Sequence, residues 1–187
     1  ITVRNSHFVN NSAQGGGCLC IMKAPDDHVY VNITNTYFIK NSAQIIGGCA
    51  YVQGGSADHV YLNITNVTFK YNSADIQAGA MKLITTATTI ESCRFIANTA
   101  GEGEGAIGAA AYSRLTINNT VFTNNSVLGS DGWCSAVFVG NHSKLVVQNT
   151  NFTHNSAQRD GAVHARYESE VHVYNCHFIG QHGGSIY

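Results

Sequence analysis

The residues of this sequence best suited to chemistry are a duplicated acid–imidazole pair. Asp27-His28-Val29-Tyr30-Val31-Asn32-Ile33-Thr34 returns 31 residues later as Asp58-His59-Val60-Tyr61-Leu62-Asn63-Ile64-Thr65. Set side by side, Asp27, His28, Asp58 and His59 would bring two carboxylates and two imidazoles together, a donor set for calcium or a transition metal. Carboxylates that close repel each other unless a cation or a protonated imidazole stands between them. A repeat duplication with splayed side chains accounts for the same pattern without an ion, and it is the preferred reading. No cofactor is expected. Calcium is the ion these residues would suit; Glu102 with Glu104 in the glycine-rich stretch 101–105 could likewise hold it, but two acids and flexible glycine are too few ligands for a site.

Enzymes that cleave acidic polysaccharides need two or three carboxylates, or an acid with a base, on one face within about 5–9 Å. Most acids here fall in turn-like stretches. Glu168 and Glu170 share a face by alternation, with Arg166 as the nearest base, and no convergent set is legible. The expectation is no catalytic residue and no enzyme. Tyr30 aligns with Tyr61, and Tyr51 with Tyr187, as packing ladders in preference to a sugar-binding stripe.

The elements that would position these side chains are set by a repeat. Phe8, Phe38, Phe69, Phe95, Phe122, Phe152 and Phe178 follow one another at steps of 30, 31, 26, 27, 30 and 26 residues. An Asn comes three residues after each Phe (Asn11, Asn41, Asn72, Asn98, Asn125, Asn155), with Gln181 in the last copy. Another precedes it by three, as in Asn35 and Asn66, with Ser92 as the exception. A period of this size marks a solenoid. Each repeat reads as an alternating strand such as Leu115/Ile117, a short Phe segment, and a Gly-Gly segment such as Gly47-Gly48, whose place is taken by Gly132-Trp133 in the fifth copy. Alternation puts one face inward. It also puts the Asn before each Phe inward, Asn66 included. No stretch has a helical apolar period. The fold class that follows is all-β: a right-handed parallel β-helix of about seven three-stranded coils of 26–31 residues, a single domain over 1–187 with no obvious caps. Opening at Ile1 on an alternating strand and closing within a Gly-Gly strand, it reads as a segment of a longer solenoid or of one assembled end to end from copies of itself.

Charged residues make up 11% of the chain and the net charge is −1, so neither nucleic acid nor an anionic membrane is an expected partner. No apolar run reaches the roughly 18 residues of a membrane span. The six cysteines do not make the paired spacing of a zinc site. Cys18 and Cys49 hold the same place in adjacent coils, about 4.8 Å apart, and are expected to form a disulfide, with Cys20 as a competing partner. Cys93, Cys134 and Cys176 are expected to be free or paired with another chain. N-glycosylation sequons begin at Asn10, Asn32, Asn63, Asn66, Asn118, Asn124, Asn141 and Asn151. Asn66 is set apart, because an inward Asn could not carry a glycan. Sequon density points to an extracellular or cell-surface protein with N-linked glycans.

The Phe-x-x-Asn-Ser-Ala phrase at Phe38–Ala43 with Gly47–Val52, and at Phe152–Ala157 with Gly161–Val163, resembles the repeat of the chlamydial polymorphic membrane proteins and related β-helix surface proteins. The resemblance spans nearly the whole chain. It implies a right-handed parallel β-helix displayed outside the cell, as in adhesins, and no enzyme activity. The functional expectation is a glycosylated structural or interaction rod. An adhesin or carbohydrate-binding module, with carbohydrate or cell-surface ligands, is the alternative, and a polysaccharide lyase or hydrolase the second alternative.

Overall fold

The computed structural model describes residues 1–22, 28–55, 60–130 and 132–186. The chain is all-β, with no helix among the described residues, and it winds as a parallel β-solenoid. Six full turns are followed by a partial seventh coil, so its two longest sheets have seven strands each. Every strand pairs in parallel with its counterpart one coil away, and the register is like on like: Phe69 lies between Phe38 and Phe95, and Ile64 between Ile33 and Ile90.

Four sheets run along the solenoid, where three were expected. Sheet 1 holds the alternating strands, from Thr2–Arg4 through Val29–Thr34, Val60–Thr65, Ala87–Glu91, Arg114–Asn118 and Lys144–Gln148 to Glu170–Tyr174. Sheet 2 holds the Phe strands, such as Thr68–Lys70 and Arg94–Ile96. Sheet 3 is the short Ser-Ala ladder, from Ser12–Gly15 and Ser42–Ile46 to Ser126–Val127. Sheet 4 runs from Leu19–Met22 to Val163–Ala165. The Phe segment splits in two because the residue after each Phe strand is left-handed: Lys40 (φ 55°), Tyr71 (56°), Ala97 (51°) and His154 (52°) do what Asn or Gly does in other coils. That conformation costs a residue with a Cβ about 1–2 kcal/mol, so its neighbours must enforce it.

The neighbour that does so is the Asn that follows. Asn41, Asn72, Asn98, Asn125 and Asn155 are fully buried. The Asn98 side-chain amide donates to Asn125 Oδ1 at 2.9 Å and to the Phe69 carbonyl at 3.0 Å. Its Oδ1 accepts from the Asn72 backbone N–H at 3.1 Å and from the Asn72 side chain at 2.9 Å. The pattern repeats in each coil and ends on Gln181. Beside it the Phe rings stack with centroids 4.6–5.2 Å apart, the spacing of the strands themselves. Aliphatic columns of sheets 1 and 4 close the rest of the core.

The other Asn column faces the opposite way from the reading of the sequence. Asn5, Asn35, Asn66, Asn119, Asn149 and Asn175 are exposed at φ of 48–54°. Their amides bond from coil to coil on the surface, as Asn66 does to Asn35 at 2.9 Å. The left-handed residue breaks the period of two. The inward place passes to the next residue, a buried Thr in coils two, five and six, whose hydroxyl returns to the carbonyl two residues back, as in Thr120 to Asn118 at 2.9 Å. The sequon at Asn66 is therefore on the surface. Gly48 shows why glycine recurs before sheet 4: a Cβ there would lie 2.2 Å from the Gly79 carbonyl oxygen.

The two Asn columns should separate in stability. Asn98→Ala leaves buried backbone and amide groups unpaired and is expected to cost roughly 3 kcal/mol or more, while the exposed Asn66→Ala should cost under about 1 kcal/mol. Urea unfolding of both variants measures the difference, and equal costs would refute a structural amide ladder.

Candidate functional site

Ionisable side chains gather on the outer face of sheet 4, where the sequence showed only scattered turn acids. Register decides this. Ile107 pairs with Val137, so Cys134-Ser135 occupies the place of the glycine pair in coil five, and Glu104 bridges to Cys134. Gly132-Trp133, read from the sequence as that pair, lies just before it. Glu104, Cys134 and Asp160 then form one column over coils four to six. Next to it runs the outward column Lys82, Gly108, Phe138, His164.

Lys82 Nζ lies 2.8 Å from Glu104 Oε1, and both side chains are buried. The carboxylate reaches this place through a gap: a Cβ on Gly108 would meet Glu104 Cδ at 2.7 Å. Glu104 Oε2 is buried without a hydrogen-bond partner. Two coils on, His164 Nδ1 lies 2.9 Å from Asp160 Oδ2, with the His164 side chain buried. Phe138 packs between the two pairs, 5.6 Å from the His164 ring and 6.0 Å from Trp133. The Arg166 guanidinium covers Trp133 at 5.3 Å.

Two carboxylates two strand spacings apart, each with a basic partner, could in principle serve acid–base chemistry. Here both are buried, each against its basic partner. Cys134, between them, is no nucleophile: burial pushes its thiol far above the usual range, and the Glu104 and Asp160 charges push the same way. Burial also pushes Cys93 up, to about 11. His164 is held below its ordinary value by burial, against the pull of Asp160.

Of the metal candidates, Asp27, Asp58 and His59 lie outside the described residues. His28 is exposed, its ring 6.5 Å from Tyr30. Glu102 and Glu104 do not converge on calcium, since Glu102 is exposed while Glu104 turns inward to Lys82. Glu168 and Glu170 also separate. Glu168 sits in a left-handed turn 3.3 Å from His142, whereas Glu170 is in a strand 3.1 Å from Lys144 and touches His172. Tyr30 and Tyr61 stack as expected, 5.1 Å apart. Tyr187 lies outside the described residues.

Cys18 and Cys49 are in register as thiols, Cys18 N–H donating to the Cys49 carbonyl at 2.8 Å. A side-chain hydrogen bond with Cys49 lowers the Cys18 thiol, while burial drives Cys49 well up. Cys20 is on the outer face, in register with Tyr51, so alternation removes it as a competing partner. Sequon residues Asn10, Asn32, Asn63, Asn124, Asn141 and Asn151 are exposed. Asn118 is half-buried and tied to Glu91 and Asn149 at 2.8 Å each.

The fold and these columns define a parallel β-solenoid protein. No protein-family model matches the chain, and comparison with curated proteins and with solved structures finds no similar one.

Under reducing conditions at pH 8, iodoacetamide should label Cys20 and Cys18 within minutes and leave Cys49, Cys93 and Cys134 intact until the chain unfolds; peptide mapping with early label on Cys134 would contradict its burial. His164 also makes stability pH-dependent. Its native pKa lies below the unfolded value of about 6.5, so the native state binds fewer protons, and stability is full above pH 6.5 and lost as pH falls below it. Between pH 7.5 and 5 the wild type should lose more stability than His164→Gln. Parallel pH profiles would remove His164 as the cause.

Proposed function

We propose that this chain is a stiff structural and interaction module displayed outside the cell. The observation that carries the reading is where the repeated residues go. The repeated Phe, the second Asn, the aliphatic pairs and the glycine before sheet 4 are all spent on holding one coil to the next. The turns vary in length and the outward columns in residue type, the arrangement of a scaffold that spaces and presents surfaces. The first and last coils share a cross-section, with Phe8 and Phe178 in one column, so the same ladder can be continued by further coils of a longer chain or by a second copy. The resemblance to the chlamydial polymorphic membrane protein repeat supports surface display, and the exposed sequons support an N-glycosylated chain. An adhesin or carbohydrate-binding part fits the same scaffold. A polysaccharide-cleaving enzyme is less well supported, since the best-placed acids, Glu104 and Asp160, are buried in pairs.

Secretion from cultured eukaryotic cells followed by glycopeptide mapping tests the extracellular reading. Asn10, Asn124, Asn141 and Asn151 should carry glycans, and Asn118 should be emptier. Asn32 and Asn63 are stacked with their amides 3.1 Å apart. Two glycans have no room at one strand spacing of about 4.8 Å, so each molecule should carry only one of them. A folded, secreted chain with every sequon empty would sink the proposal.

A further inference from the structure

The exposed Asn column is interrupted at one place. In coil four it holds Ser92, and Asn66 of coil three stands beside it. The Asn66 side chain gives one hydrogen to Asn35 Oδ1 at 2.9 Å and, among the described residues, makes no other hydrogen bond. The Ser92 hydroxyl turns to Glu91 at 3.3 Å and receives the Asn119 amide at 3.1 Å. The Asn66 nitrogen is thus directed toward coil two, with its second hydrogen unused, at the edge of sheet 2.

The outer face of sheet 2 changes character beside it. One outward column reads His7, Tyr37, Thr68, Arg94, Val121, and the next Val9, Ile39, Lys70, Ile96, Thr123. Tyr37 is backed on one face by His7, the ring centroids 4.8 Å apart, and is 44% exposed. On its other side the column continues with Thr68, shorter than a ring, and a cleft of about 590 Å³ opens, lined also by Ile39, Asn66, Lys70, Arg94 and Ile96. That volume lies in the range of small-molecule sites, roughly 300–1,000 Å³. The strand Val60–Thr65, six residues or about 20 Å long, sets Asn66 apart from residues 56–59. The Arg94 side chain is exposed and, among the described residues, has no hydrogen-bond, ion-pair or ring partner. Lys70 Nζ lies over the Tyr71 ring at 4.8 Å and makes no ion pair among the described residues. Glu91, the acid closest to Arg94 in sequence, is engaged by Ser92 and Asn118.

We propose that Asn66 carries an N-linked glycan whose first N-acetylglucosamine docks in this cleft. Asn66-Val67-Thr68 is a sequon, and no other member of the exposed corner column heads one. The acceptor side chain and Tyr37 line the same cleft, so the sugar is delivered beside an aromatic ring. The C–H face of the pyranose suits that ring. Its acetamide carbonyl accepts from the Arg94 guanidinium, a group with donors only, and its methyl suits Ile39 and Ile96. Such contacts are too weak to hold a free sugar, but a short tether raises the effective concentration to the millimolar range or above. The bond that forms joins Asn66 Nδ2 to the anomeric carbon. The bond that breaks is that carbon's bond to a pyrophosphate oxygen of an activated oligosaccharide donor. Pyrophosphate leaves with the electron pair, the amide loses one proton to solvent, and the remaining N–H keeps the bond to Asn35. This inference rests on the extracellular reading above, which supplies the glycosylating compartment.

The test uses chain secreted from cultured eukaryotic cells, compared site by site. Glycopeptide mapping should find Asn66 occupied. A peptide N-glycosidase acting on the folded protein should release the Asn66 glycan roughly tenfold more slowly than those of the other exposed sequons, the effect of about 1.4 kcal/mol of docking. Denatured chain should lose all of them at one rate. Tyr37→Ala and Arg94→Gln, each shown folded by a thermal melt, should speed release at Asn66 several-fold and leave the other sites unchanged. Tyr174→Ala, an exposed tyrosine in coil seven, should behave as wild type. Asn66 empty while other sequons are filled, release at Asn66 as fast as elsewhere, or unchanged release in both Tyr37→Ala and Arg94→Gln overturns the proposal and leaves the extracellular module standing. A secreted chain with every sequon empty removes both.

Discussion

Everything in this structure depends on a buried carboxamide meeting its own image one coil away. Each Asn of the inner ladder gives its amide hydrogens to the next coil's Oδ1 and to a Phe carbonyl of the coil before, and receives a backbone N–H and a side-chain N–H in return. These groups are shut off from water, so losing a partner would cost about 1–3 kcal/mol apiece. A slip of register by one residue would break the ladder in every coil at once and turn the Phe stack out of the core. The amides therefore fix the height of each coil and its rotational phase, and the Phe rings, aliphatic columns and glycines fall into line. The same bonds hold Lys40, Tyr71 and Ala97 in a backbone conformation those residues avoid elsewhere.

With the interior so constrained, individuality can live only outside. Residues added to a turn leave at a corner without disturbing the register of the sheets, and side chains of the outward columns can change one coil at a time. Interrupted columns then make the surface features. Where Gly108 leaves a gap, Glu104 folds into it and meets Lys82, giving a sealed ion pair. Where Ala87 leaves one, no side chain among the described residues fills it, and a cleft of about 360 Å³ lies beside Tyr61. One kind of vacancy yields an interior electrostatic contact and another yields a recess, according to whether a neighbouring turn carries a side chain long enough to reach in.

The repeat, its phase, the stacked Phe and the Tyr30/Tyr61 pair were legible because each follows from local period and like-on-like stacking. The outward Asn column was not. Extrapolating a period of two past Thr34 assumes that the strand continues, and Asn35 at φ 49° ends it. The same local turn, one corner later, divides the expected Phe segment into sheets 2 and 3. The pairing of Glu104 with Lys82 was hidden for another reason: the two belong to different coils and different columns, and only the exact lengths of the intervening turns bring them within 2.8 Å.

The sequence by itself determined the solenoid, its coil boundaries and the residues of its core, because those are properties of a repeated pattern that each coil satisfies with its neighbours. Only the tertiary structure decided which polar residues are buried, how Cys134 aligns with Glu104, and where the outer face is open. Those outcomes depend on turn geometry and on which column loses a side chain. A left-handed residue or a turn one residue shorter changes the direction of everything that follows it, and no periodicity in the chain announces that change.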